Sequence, residues 1–416
     1  MSKSRRNARV SRSSGKAVKR SARARPLTIA ALCDAMEQIA PTWAAAEWDN
    51  VGLLAGDRKL PLRRLLLTTD LTGAVLEEAV LGRADAIVSY HPPIFRPIKS
   101  FVAHHGSTEG LAAAALTRRI AIYSPHTALD CAPGGTNDTI AALCGLKDVR
   151  PFEAARRSSK EAKLVTFVPI EKVSVVAEAM FAAGAGRIGE YEKCSYRVRG
   201  QGTFFGTDAT NPAVGRRGRL EHVEEIRIEL VVPLAKLDAV VAAMRQAHPY
   251  EEPAFDIYPL EGHPDRRLGQ GRIGRFARPV TLHALARWLA RKTEARNVMI
   301  LDGARTHRTT GSRRTAIPRL GHALVCVGAA GSLPFEIPDR PCGPGDVVIT
   351  GEIRHHDALA YQRAGVSAIA LGHWASERPV LMPLATRLRE TMPGVSVVVS
   401  RRDVDPFQPV SERRFE

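Results

Sequence analysis

The chain has 416 residues, 44% apolar and 25% charged, a globular composition too long for one ordinary core, so two or three domains are expected. No apolar run reaches the ~18–20 residues of a membrane span and the N-terminus shows no apolar signal core, so a membrane role is excluded and a cytoplasmic protein expected. The formal charge of +17 is concentrated: residues 1–25 hold ten Lys/Arg and no acid, leaving +7 for the other 391.

That basic arm, residues 1–26, is rich in Ser and Ala with almost nothing to bury, and reads as disordered. Three readings fit it: an arm binding nucleic-acid phosphates through counterion release, an Arg-rich transit peptide, or a solvated tail. From Pro26 onward the pattern alternates helix and strand. It predicts an amphipathic helix over residues 27–39, a buried strand over 64–71, a helix around 75–81, and strands over 84–90 and 120–124. This βαβ rhythm implies a mostly parallel sheet with helices on its faces.

Residues 151–162 are charged and read as a linker. A different module follows, with a strand at 163–169, a helix at 174–183, strands at 195–205 and 225–232 around a Gly/Pro-rich loop, a helix at 234–247 and a strand at 254–260. That is βαββαβ, the ferredoxin-like order. After Gly269 the α/β pattern returns, with a helix near 282–291 and strands at 322–327, 347–350 and 367–371; residues 305–319 read as a basic surface loop. The expected fold class is therefore α/β: one α/β domain in two halves, 27–155 and 266–416, interrupted by a ferredoxin-like insert over 163–262.

Six scattered cysteines (Cys33, Cys131, Cys144, Cys194, Cys326, Cys342) contain no C-x-x-C pair. This argues against a disulfide framework and against a thiolate zinc knuckle, and leaves them as small apolar residues.

In open α/β sheets, ligands sit beyond the carboxyl ends of strands. The strand at 84–90 runs into His91-Pro92-Pro93, the one at 120–124 into Pro125, His126 and Asp130, and the one at 367–371 into Gly372, His373 and Glu377. His373 and Glu377 are four apart, as are His126 and Asp130, so each pair shares one face if a helix begins there. A nitrogen and oxygen donor set without thiolates suits Zn²⁺, Fe²⁺, Mn²⁺ or Ni²⁺ without choosing among them. Asp130 and Glu377 are of the type that bridges two ions. Any one element alone reads equally as a loop residue or a surface ion pair; three at strand ends together favour a metal. His104 and His105 read as loop residues. The turn at 327–332 follows a strand but lacks the lysine of a P-loop, and reads as a tight structural turn.

The segments Glu47-Trp48-Asp49-Asn50-Val51-Gly52-Leu53, Ser89-Tyr90-His91-Pro92-Pro93-Ile94-Phe95, His126-Thr127-Ala128-Leu129-Asp130 and Gly135-Thr136-Asn137-Asp138 occur in this order. Thr350-Gly351-Glu352-Ile353-Arg354-His355-His356-Asp357 and the run from Gly372 to Glu377 follow. Together they resemble the GTP cyclohydrolase type 2 homologue family, the Nif-three-like dinuclear metal-centre proteins, over about residues 27–410. Within the insert, the runs around Gly186–Ser195, Gly202-Thr203-Phe204 and His248-Pro249-Tyr250-Glu251-Glu252-Pro253 resemble the regulatory-protein-like domain of longer members. The resemblance implies a toroidal homohexamer with metal sites facing its interior, two divalent ions per subunit, and His91, Asp130, His373 and Glu377 as ligands. Tyr90 stands where many relatives carry a further histidine, and a phenol with a pKa near ~10 ligates only once deprotonated.

Two functions are compatible with these features. One is a metal-dependent hydrolase acting on a nucleotide or related small anionic substrate, the ions lowering the pKa of a shared water. In that reading His126 or His355 moves the proton, and Glu352 and His356 lie around the site with Trp48, Asp49 and Asn50 behind it. The other is a non-catalytic hexameric metal-binding scaffold or regulatory protein with protein or nucleic-acid partners.

Overall fold

Short apolar runs that alternate with helices become fully buried strands when helices cover both sheet faces, and two such sheets dominate this chain. The computed structural model describes residues 26–98, 106–156, 159–262, 264–303 and 319–408. The basic arm up to residue 25, His104 and His105, and all but the last residue of the basic loop 305–319 lie outside the described residues.

The first sheet has the order Gly52–Ala55, Ala121–Ser124, Ala86–Ser89, Arg64–Thr68, Ser396–Val399. Its pairings are parallel except for Gly52–Ala55, which runs antiparallel to its neighbour. Helix Ile29–Ile39 packs on one face through Ile29, Leu32 and Met36, and helix Gly73–Leu81 on the other through Val75, Leu76 and Ala79.

The second sheet has the order Met299–Leu301, Ser367–Ala370, Asp346–Thr350, Arg319–Val325, Arg272–Thr281, Leu146–Arg150. Here the expectation of a mostly parallel sheet needs correction. Only the Arg319–Val325, Asp346–Thr350 and Ser367–Ala370 strands run parallel; the other three pairings are antiparallel. The reason is visible in the burial: the three central strands are mostly or wholly buried, whereas Leu146–Arg150, Met299–Leu301 and the second half of Arg272–Thr281 are largely open to solvent. Outer strands of that kind close a sheet without a crossover helix.

The two sheets are interlocked by exchange of strands. The C-terminal Ser396–Val399 completes the first sheet beside Arg64–Thr68, while Leu146–Arg150, from the N-terminal part, completes the second beside Arg272–Thr281. Arg272, 2% exposed, reinforces the join: its guanidinium donates to both oxygens of Asp138 and to the carbonyls of Cys131, Ala132, Gly269 and Gly271.

Between the two parts of the α/β framework lies a four-stranded antiparallel sheet, ordered Phe255–Pro259, Glu161–Pro169, Leu220–Pro233, Tyr196–Phe205. With helices Val173–Ala182 and Leu237–Ala247 its element order is βαββαβ. Both helices bury Val176, Met180, Val240 and Met244 against Leu164, Val168, Ile228 and Leu230 on one face. The stretch expected as a free linker over 151–162 is instead partly ordered. Ala155–Arg156 pairs antiparallel with Pro264–Asp265, and Phe152 is buried beside Gly271, where a Cβ would stand 2.3 Å from its ring. Backbone bonds Phe152 N to Gln270 O and Ala155 N to Leu268 O extend the ribbon. All six cysteines are unpaired, four of them buried, as their spacing implied.

Candidate metal centre

The site grows from the carboxyl ends of two pairs of parallel strands. In the first sheet Tyr90 N and His91 N still bond to Thr68 O and Thr69 O just past the last ladder pair. This places His91 beside Asp70, which follows the neighbouring strand, and His91 Nδ1 lies 2.9 Å from Asp70 Oδ1. The second sheet repeats the device. Leu371 N and Gly372 N bond to Thr350 O and Gly351 O, and His373 Nδ1 lies 3.3 Å from Glu352 Oε1 on the adjacent strand end. In each half a carboxylate holds one imidazole nitrogen and turns the other inward, the arrangement by which second-shell groups orient metal-ligating histidines.

Glu377 joins the halves. The short helix His373–Glu377 puts it one turn after His373, 3% exposed. Its Oε1 lies 3.2 Å from His373 Nε2 and its Oε2 3.2 Å from His91 Nε2. Ligand atoms of His91, His373 and Glu377 all fall within 4.8 Å of one another. Gly328 and Gly351 make room: a Cβ on Gly328 would stand 2.7 Å from Glu377 Oε1, and one on Gly351 2.9 Å from the His373 Cα.

Asp130 and His126 repeat the i, i+4 spacing on helix His126–Cys131, which follows strand Ala121–Ser124. Asp130 accepts a 2.6 Å hydrogen bond from the Tyr90 hydroxyl. Both lie beside the three-residue group and outside it. His126 sits with φ +25°, a conformation that costs a non-glycine residue free energy. It is held there by Asp49, whose Oδ1 is 2.8 Å from His126 Nδ1 and whose Oδ2 accepts from Thr127 N and Oγ1. The His126 ring centroid is 5.3 Å from that of His91 and 6.1 Å from that of Trp48. Trp48 is 63% exposed and meets Phe95, 45% exposed, at 6.0 Å, so two solvent-facing aromatic rings border the site. Asn50 ties this lip down by donating to Ile94 O at 2.6 Å.

The electrostatics follow from the packing. Burial disfavours the His91 cation, but Asp70 and Glu377 outweigh it and push its pKa up to about 10. The hydrogen bond and charge of Glu377 push His373 up to about 9 against the opposing effect of burial. Burial would raise Glu377, yet the two imidazoles hold it below the ordinary glutamate value. Burial, opposed by the Tyr90 hydrogen bond and assisted by the charge of Glu377, pushes Asp130 up to about 6. Burial and the neighbouring Asp130 and Glu377 carboxylates raise Tyr90 well above the usual phenol range, so its proton stays on.

These features fit a divalent cation. Two imidazolium groups close on one carboxylate stand in for the charge an ion would supply, and Glu377 Oε2, buried, has no hydrogen-bond partner. A set of two nitrogens and carboxylate oxygens without thiolates is the chemistry of Zn²⁺, Fe²⁺, Mn²⁺ or Ni²⁺.

The remaining candidates fall outside the group. His355 and His356 are exposed at the start of helix His355–Arg363, with their rings against each other. Three N–H groups of the 327–332 turn are already bonded, Val327 N to Asn137 Oδ1, Gly328 N to Ser376 Oγ and Ala330 N to Thr350 Oγ1, as in a structural turn. Asp70 was not singled out by sequence, because the strand expected over 64–71 includes it, whereas the observed strand Arg64–Thr68 ends two residues before it.

A model of the Duf34/NIF3 (NGG1p interacting factor 3) family matches residues 27–406. A protein of Halalkalibacterium halodurans named GTP cyclohydrolase 1 type 2 homolog is 34% identical, covering 89% of this chain and 96% of its own length. Its namesake in Bacillus subtilis is 33% identical over 89% and 95%. Among solved structures, a Bacillus cereus protein related to NIF3 superposes with a TM-score of 0.56 at 29% identity, covering 91% of this chain and 97% of that one. A Staphylococcus aureus protein has a TM-score of 0.67 at 23% identity over 92% and 99%, a likeness of fold.

Proposed function

The chain belongs to the Duf34/NIF3 family, and on that premise we propose that it is a metal-dependent hydrolase, GTP cyclohydrolase type 2-like, acting on a nucleotide or related anionic substrate. The observation that carries this reading is the meeting of His91, His373 and Glu377 within 4.8 Å around a buried carboxylate oxygen that lacks a hydrogen bond. His91, His373, Glu377 and Asp130 are the side chains that would hold two divalent ions. Tyr90, which keeps its proton, acts on them through Asp130 by fixing that carboxylate. When bound, such ions supply Lewis acidity and make water a stronger acid at neutral pH.

The protein's own groups account for the rest. Asp70 and Glu352 fix the tautomer and direction of the two ligating imidazoles. Asp49 holds His126 Nδ1, leaving Nε2 to take a proton from the attacking water, the pairing expected of a general base. Trp48 and Phe95 offer a face on which a planar base can stack. His355, exposed at a helix start, is assigned to substrate contact. The named relatives, GTP cyclohydrolase 1 type 2 homologs, support a nucleotide as the substrate class.

The same reading assigns residues 27–155 and 266–416 to one metal-site domain and 163–262 to a ferredoxin-like insert, supported by the βαββαβ order and the antiparallel sheet. It takes the assembly as a homohexamer in the cytoplasm. No helix among the described residues is long and apolar enough to cross a membrane.

The test is metal content per chain together with release of formate or phosphate from a nucleotide panel. Stoichiometric metal and turnover, both lost in His373→Ala, are expected. Full turnover in that variant would remove the hydrolase reading, and stoichiometric metal with no turnover would leave a metal-binding scaffold.

A further inference from the structure

The βαββαβ insert carries a cavity of its own, on the sheet face opposite its helices. Residues Phe167, Val198, Phe204, Tyr250, Pro212 and Val214 wall a space of about 660 Å³, within the 300–1,000 Å³ range typical of small-molecule sites. Two glycines on strand Tyr196–Phe205 shape it. Gly200 has open space where a Cβ would be, and at Gly202 a Cβ would stand 2.2 Å from the carboxylate of Glu225. Any side chain at Gly202 would displace that carboxylate from the cavity.

Glu225 is the chemical feature of the site. The other charged groups of the wall are satisfied elsewhere. Arg199 pairs with Glu224, Arg227 with Glu229 and Glu252 with Arg245, and Glu251 accepts from Asn211 N. Glu225 accepts a 2.7 Å hydrogen bond from the Tyr250 hydroxyl, a neutral donor, and no ion pair to it occurs among the described residues. The nearby His248 does not supply the charge. Its Nδ1 accepts from Tyr250 N at 3.1 Å and its Nε2 donates to Phe167 O at 2.9 Å, which fixes the neutral ring. The Arg227 guanidinium, paired with Glu229, already lies over the Phe167 ring at 5.8 Å, which leaves Glu225 with the Phe204 and Tyr250 rings as the surface open to a further cation. A half-buried carboxylate beside such rings is complementary to an organic ammonium ion, because the ring faces and the carboxylate attract the same charge.

We propose that this cavity binds a small organic ammonium ligand with an aromatic or aliphatic body, its nitrogen on Glu225 and its body between Phe204 and Tyr250. This gives the insert a ligand site separate from the metal centre, and the proposal stands whatever the outcome of the turnover assays.

Calorimetric titration of the full-length protein with 2-phenylethylamine at pH 7, where an alkyl amine is protonated, tests it. 2-Phenylethanol, of the same body without charge, is the control and needs no variant. The amine is expected to bind at least about ten-fold more tightly than the alcohol, the discrimination one charge-assisted hydrogen bond provides. Glu225→Gln should remove that difference while leaving metal content unchanged. Equal binding of amine and alcohol, or undiminished amine binding in Glu225→Gln, would overturn the proposal. So would loss of oligomer mass in Glu225→Gln without an effect on the amine, which would make the cavity a contact between copies of the chain.

Discussion

Glu377 lies 3.2 Å from each of two imidazoles that come from opposite ends of the chain, and the charge state of the site follows from it. His91 and His373, pushed up to about 10 and about 9, carry their protons at neutral pH in the metal-free protein. Folded values above the ordinary ~6.5 of histidine mean that their contribution to stability is fully present below that pH. It is lost as pH rises through about 9 to 10. A metal needs the neutral rings, so its affinity should climb over the same range. Metal titrations at pH 6.5 and pH 9 should show tighter binding at the higher value, and NMR titration of Glu377→Gln should show both imidazole pKa values falling. An affinity flat with pH would contradict the imidazolium clamp. The histidines and Glu377 were legible in sequence because a polar residue directly after a buried strand is conspicuous. Asp70 was hidden because the strand expected over 64–71 contained it, while the observed one ends at Thr68. What periodicity could not supply is the pairing of His91 with Asp70 and of His373 with Glu352, since it depends on which strands lie side by side.

At the level of elements, the buried strands Arg64–Thr68, Ala86–Ser89, Ala121–Ser124 and Asp346–Thr350 and the whole βαββαβ run are readable from apolar patterning. Three strands are not: Leu146–Arg150 is largely open to water and carries little apolar run, and Gly52–Ala55 and Met299–Leu301, though apolar, have only four and three residues, too few for a periodicity to register. These are also the strands that make the second sheet mixed and cap the first. Arg272 joins the two halves at this level. Its buried guanidinium holds Asp138, next to Asn137, whose Nδ2 donates to Asp130 O and whose Oδ1 accepts from Val327 N. Arg272→Met leaves Asp138 and four carbonyls without their donor and should cost about 3–5 kcal/mol, as breaking a buried pair does. Urea unfolding followed by circular dichroism would measure this, and a change below about 1 kcal/mol, in the range of exposed pairs, would show the join to be dispensable.

For the whole molecule, the exchange of edge strands means that the metal site forms only when both ends of the α/β framework are folded. Metal binding and global stability should therefore rise and fall together. The ribbon of Ala155–Arg156 with Pro264–Asp265 has a separate consequence, because it brings the two ends of the intervening module to neighbouring positions. Paired residues in such a ribbon lie only about 5 Å apart, a gap that a two-residue hairpin can span. A protein in which residues 157–263 are replaced by Asn-Gly should fold, bind metal at the wild-type ratio per chain and lose only the ammonium ligand. The module is thus plugged into the framework through a single socket, which lets evolution add, remove or retune it without disturbing the centre it accompanies.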